Sequence, residues 1–176
     1  MICGVSLRSC TFLNAAAPFS RLDNLDDAER RMIRQDCEAL SIAYARAVDF
    51  RDYDEFVNLF AEDGTLETGT RLEGRKAIAA SLKRRSDELR SRHVLTNIFV
   101  NVISRDEATG ISYLTLYRHV GPESLRPQPI SFDGPFAIGH YQDVFVRTDD
   151  GWRFKSRVLH MAFRREETGE VSRREN

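Results

Sequence analysis

The sequence predicts an α+β fold, with three N-terminal helices packed on one face of a curved antiparallel sheet. Helical periodicity is confined to about residues 25–90, and runs rich in β-branched and aromatic residues fill most of the remainder. Helices therefore come first and strands afterwards, which separates this chain from the alternating order of a doubly wound parallel sheet. The phosphate-cradling strings GxGxxG and GxxxxGK[ST] are also absent from the sequence.

From about Leu25, the residues Ile33, Cys37, Leu40, Tyr44 and Ala47 recur with the spacing of one helix face, while Glu29, Arg30, Arg34 and Arg46 occupy much of the other. This predicts a long, half-buried helix. Asp52 stands three residues before Glu55, a capping-box arrangement that starts a short second helix carrying Phe56, Val57, Leu59 and Phe60. The segment "AEDG" (61–64) reads as a turn, followed by a short extended piece around Thr65 to Thr68. Next, "EGRKAIAASLKRRSDELR" predicts a third helix that begins at Gly74 and buries Ala77, Ile78 and Leu82. Four strands follow, in "HVLTNIFVNVI", "GISYLTLYRHV", "FAIGHYQDVFVRT" and "GWRFKSRVLHMAF". The Asp-Gly pair in "TDDGW" (148–152) signals a tight hairpin, and the proline-containing stretch 121–135 is the one long loop.

A chain of 176 residues supports one domain with a sizeable core. Lys and Arg number 26 against 27 Asp and Glu, so bulk charge offers no reason to expect nucleic acid or an acidic membrane as partner. Cysteines at 3, 10 and 37 form no CxxC pair and fit reduced thiols of a cytoplasmic protein. Residues 1–24 read as a flexible arm, because Gly4, Ser6, Arg8, Ser9 and Thr11 interrupt any continuous apolar run of a secretion signal. The domain is expected over 25–165, and 166–176 form a polar tail.

Asp49 is the residue of chemical interest at the end of the first helix. A carboxylate there meets the partial negative charge of unpaired carbonyls, and partial burial would raise its pKa further. Ala45 and Ile42, one and two turns back, suggest that it faces a cavity; the competing reading is a solvated turn residue beside Arg51 and Asp52. His93 opens the first long strand and is the residue type best suited to move a proton near neutrality. His119, His140 and His160 read as ordinary strand residues, and no HxH or HExxH spacing supports a metal site.

The ordered segments "AYARAVDFRDYDEFVNLFAEDG", "EGRKAIAASL", "RHVLTNI" and "GHYQDVFVRTDDGWRF" resemble the SnoaL-like (polyketide cyclase-like) branch of the nuclear-transport-factor-like superfamily, over residues 25–165. The resemblance implies a cone-shaped α+β roll enclosing a deep, mostly apolar pocket. It is to the scytalone dehydratase, bile-acid dehydratase and hexachlorocyclohexane dehydrochlorinase members, in which an Asp at the first helix end and a His at a strand start together remove a substrate proton. Asp49 and His93 match those positions, and Tyr44, five residues before Asp49, matches a tyrosine that hydrogen-bonds a substrate oxygen. Two departures stand out. Val48 replaces a tyrosine of scytalone dehydratase, and Ser112 falls where its second catalytic histidine would be.

The proton donor is therefore different, and Tyr113, Tyr117, Tyr141 and Ser112 are candidates to contact substrate, unless the tyrosines are core residues. The expected function is a cofactor-independent lyase of dehydratase type acting on a small hydrophobic cyclic substrate. Competing expectations are an isomerase or cyclase of the ketosteroid isomerase kind, a non-catalytic hydrophobic-ligand-binding dimer, and the small subunit of a ring-hydroxylating dioxygenase. A homodimer or homotrimer is expected. Ile98, Val100 and Val102 supply either its interface or sheet core.

Overall fold

In the computed structural model, which describes residues 25–165, the chain opens with helix α1 (Asp27–Asp49). The expected arm and tail, with Cys3 and Cys10, lie outside the described residues. Asp26 caps α1 by accepting from the Glu29 N–H at 2.8 Å, while the Glu29 carboxylate accepts from the Asp26 N–H. Two N–H groups that the helix cannot satisfy internally are thereby paired. The predicted stripe Ile33, Cys37, Leu40, Tyr44 and Ala47 is buried, joined by Ser41 and Val48. Burial, helped by nearby Asp36, pushes the Cys37 thiol up to about 12, so it behaves as a small inert core residue.

Helix α2 (Tyr53–Asn58) has Asp52 accepting from the Glu55 N–H, as the capping pattern predicts, but the Glu55 carboxylate turns to Arg46 instead of closing the box. Between the two helices Arg51 adopts a left-handed conformation, with φ 62°. From there its guanidinium donates to the carbonyls of Ser86, Asp87 and Leu89. One side chain thus ties the end of α1 to the chain that enters the first long strand.

The strands are β1 (Phe60–Glu67), β2 (Arg71–Glu73), β3 (Leu89–Val102), β4 (Glu107–Val120), β5 (Ala137–Thr148) and β6 (Gly151–Arg164), with α3 (Gly74–Leu82) after β2. They form one sheet in the order β2-β1-β6-β5-β4-β3, antiparallel throughout except that β1 runs parallel to β6. Three expectations are corrected: first, Leu59 and Phe60 lie beyond α2, with Phe60 opening β1. "AEDG" is not a turn but the middle of β1, where the register against β6 shifts between Phe60 and Thr65. Helix α3 stops at Leu82, because "KRRSDE" offers no apolar residue to bury and Leu89 already begins β3. It buries Ile78 and Leu82 as predicted, and Ala77 is half-buried. The "TDDGW" hairpin forms, with Thr148 opposite Gly151 and Gly151 at φ 108°.

Helix α1 lies chiefly on β3, and α3 lies on β1 and β2. The inner face of the sheet contributes Leu114, Phe145, Trp152 and Phe154 to one core with α1, Phe56, Phe60 and Ile78. Val100 and Val102 are buried in that core, with Ile98 packed against it, so they are not the exposed interface that was one of their two readings. The opposite face carries exposed Val94, Phe99, Ile111, Tyr113 and Ile138. Among the described residues no helix is long and apolar enough to cross a membrane.

Candidate active site

The packing of α1 on β3 brings together two side chains 44 residues apart. The His93 backbone N–H donates to Asp49 Oδ2 at 2.7 Å, and its ring Nδ1 lies 2.7 Å from Asp49 Oδ1. The Ser91 hydroxyl also donates to Oδ1 at 2.7 Å. The Asp49 and His93 side chains are only 6% and 9% exposed, which excludes the solvated-turn reading of Asp49. A carboxylate only accepts, so Nδ1 carries a proton, and in the neutral ring Nε2 then holds the lone pair that can act as a base.

Burial acts to raise the Asp49 pKa. The hydrogen bond and charge of the His93 ring, with the bonds from the His93 N–H and Ser91, outweigh it and hold the carboxyl below its ordinary value. The expected rise is thus reversed. The apolar stripe used to place Asp49 also misleads, since Ile42 is 59% exposed. Contact with β3, not the neighbours on its own helix, encloses the carboxylate.

Tyr44 is buried and presents its ring edge-on to His93, with centroids 6.4 Å apart. Burial pushes its hydroxyl pKa up against the lowering influence of Arg157, so the phenol stays protonated and able to donate. Tyr141 is fully buried 5.6 Å from Tyr44, and burial raises its pKa well above the phenol value. Ser112 is likewise fully buried, with its hydroxyl unpartnered. The other two predicted contacts are not brought to the site. Tyr113 stands 53% exposed on the opposite face of β4, and Tyr117 packs edge-on against Phe132 of the long loop.

Sequence reasoning missed the group behind the tyrosines. Arg157 is fully buried, and its Nε and Nη2 donate to the two carboxylate oxygens of Asp143 at 2.8 and 2.9 Å. Nη2 also reaches Ser41 at 3.2 Å, while Nη1 has no partner. The guanidinium lies 4.3 Å from the ring centres of Tyr44 and Tyr141 and 4.2 Å from that of Phe154. Burial works to discharge it, but Asp143 overrides this and keeps its pKa raised. The signal was an arginine within an apolar strand pattern, disguised by a bulge. Val144 pairs Ser156 and Phe145 pairs Phe154, so Lys155 is the extra residue and both Phe154 and Arg157 turn inward.

The rings of Tyr44, Phe56, Phe60 and Phe154 pack against one another behind the dyad, in the region where the resemblance implies a deep pocket. A cleft of about 410 Å³ opens instead beside Ser91, between β3, β4 and loop residues 130–134. Among the described residues no three His, Cys, Asp or Glu side chains converge as a metal site would require. His119 meets Glu123 at 3.4 Å, and His140 stacks on His160 at 5.0 Å.

None of the curated proteins compared with the chain is a match. Solved structures are similar in fold. A candidate scytalone dehydratase from Novosphingobium aromaticivorans is 23% identical, with 77% of this chain and 88% of that one covered at a TM-score of 0.66. A type 2 hexachlorocyclohexane dehydrochlorinase (LinA) is 16% identical, with 82% and 95% covered at a TM-score of 0.68. A protein of unknown function from Mycobacterium tuberculosis is 24% identical, with 78% and 77% covered at a TM-score of 0.63. The sequence profile of the SnoaL-like domain matches residues 29–158, and the chain with its α+β sheet belongs to that family.

Proposed function

We propose that this protein is a cofactor-independent lyase of dehydratase type, in which the Asp49–His93 pair removes a proton from a small hydrophobic cyclic substrate. The observation that supports this reading is the sequestered dyad, with Asp49 holding both the backbone and the ring of His93. His93 Nε2 takes the proton next to an activating group, and the ionised Asp49 stabilises the imidazolium that results. A hydroxyl on the adjacent carbon then leaves as water by taking the proton that His93 now carries, or a halide leaves as the anion, and a carbon–carbon double bond forms. The Tyr44 hydroxyl donates to the enolate-like oxygen as its charge develops, where such a bond lowers the barrier most. Arg157, stacked on Tyr44, acts as a positioning residue. That a dehydrochlorinase and a candidate dehydratase share this fold agrees with the reading.

The test is a panel of cyclic hydroxy-ketones and related compounds incubated in D₂O and followed by proton NMR. Elimination appears as a new alkene, whereas isomerisation of the ketosteroid isomerase kind shifts a double bond and washes in deuterium. On any substrate found, His93→Ala and Asp49→Asn are each expected to lower turnover by about 10²–10⁴-fold, and Tyr44→Phe by about 10²-fold. Full activity in both dyad variants sinks the proposal. Copies of the chain are further proposed to associate as a homodimer or homotrimer through the outer sheet face, on the strength of exposed Val94, Phe99, Ile111 and Tyr113.

A further inference from the structure

The cleft of about 410 Å³ beside Ser91 has walls of two chemistries. Tyr117 and Phe132, set edge to face with centroids 5.5 Å apart, form its apolar side. Four arginines, Arg90, Arg92, Arg118 and Arg165, line it against the single carboxylate of Asp133. That carboxylate is taken by Arg165 at 3.7 Å. Arg90 holds the long loop through the carbonyls of Ser124, Arg126 and Gln128. Arg92 lies 4.8 Å over the Phe50 ring and Arg118 4.9 Å over Phe136, both exposed. Among the described residues no carboxylate pairs with Arg90, Arg92 or Arg118.

Three uncompensated guanidinium groups around one concavity produce a positive potential that its low-dielectric walls concentrate. The planar donor fork of arginine matches a carboxylate, and the aromatic wall matches a ring or hydrocarbon body. The volume falls in the range of about 300–1,000 Å³ typical of small-molecule sites. Arg118 lies directly across the β3–β4 ladder from Ser91, and Ser91 is hydrogen-bonded to Asp49. Side chains so paired stand on one face with Cβ atoms about 5 Å apart. Ser91 and Arg118 thus link the cleft to the face that carries the dyad, while Arg90, Arg92 and Tyr117, their neighbours in the ladder, start from the other face.

We infer that this cleft binds an amphipathic organic acid, its carboxylate received by Arg118 and Arg92 and its apolar body laid against Tyr117 and Phe132. The inference goes beyond the lyase reading, because binding requires no proton transfer.

Isothermal titration of the full chain at low ionic strength, with 2-naphthoate and its neutral counterpart 2-naphthalenemethanol, tests it. The acid is expected to bind about tenfold more tightly than the alcohol, as a charge-assisted contact implies. Arg118→Gln and Arg92→Gln should each remove most of that preference and leave the alcohol nearly unaffected. No acid binding, equal affinity for acid and alcohol, or indifference to both arginine changes overturns the inference. Any of these results leaves the dyad to be judged by its own turnover assay.

Discussion

Asp49 receives hydrogen bonds from Ser91, the His93 backbone and the His93 ring, and its folded-state pKa lies below the ordinary carboxylate value. A carboxyl of this kind contributes its full stabilisation above the unfolded pKa of about 3.9 and loses it as pH falls through the lower, folded value. Urea unfolding measured across the acid range should therefore show a steeper loss of stability below pH about 4 in the unsubstituted chain than in Asp49→Asn. Parallel curves would contradict this. Arg157 offers a second test of the interior. Arg157→Met leaves Asp143 buried without its partner and is expected to cost about 3–5 kcal/mol, whereas Arg157→Met with Asp143→Leu should recover most of the loss. The dyad was legible from a helix-end acid and a strand-start histidine in a familiar order of segments. Arg157 was hidden by the bulge at Lys155, because inward positions can be counted by alternation only while the register is unbroken.

Gly64 shows how an element can be misread. Asp-Gly is a turn signal when the flanking strands pair with each other, but here the strand continues and the glycine serves close backbone approach. An added Cβ would sit 2.7 Å from the Phe154 carbonyl oxygen and 2.9 Å from that of Ala61. Gly64→Ala is accordingly expected to destabilise by about 1–3 kcal/mol, read as a melting temperature lower by several degrees. The capping box of α1 makes a milder prediction: Asp26→Ala should cost about 1 kcal/mol, with far-ultraviolet circular dichroism little changed. Helix α1 and strands β3 to β6 were legible because they are long, with an apolar stripe along the helix and β-branched and aromatic runs in the strands. The first half of β1 was not, since its acidic residues Glu62 and Asp63 are exposed and its neighbour in the sheet, β6, lies far along the chain.

The fold as a whole has an apolar outer sheet face in which Phe99 and Ile111, directly paired across β3 and β4, are 66% and 41% exposed. Light scattering should return two or three times the chain mass, and Phe99→Lys should shift the protein to monomer with its unfolding cooperativity intact. A monomeric mass for the unsubstituted chain would refute the proposed assembly. Fold class and antiparallel order were readable from the succession of elements, but the parallel pairing of β1 with β6 was not, because local patterns say nothing about which distant strand becomes a neighbour. That pairing joins Phe60 to Phe154. During synthesis the first strand must wait for the last, so a nascent chain halted in the long loop holds β1 and the α1 stripe with no completed sheet to bury them. Such an intermediate exposes a strand edge and aromatic surface together, which makes chaperone capture or aggregation, rather than the finished protein's stability, the step that sets yield at high expression.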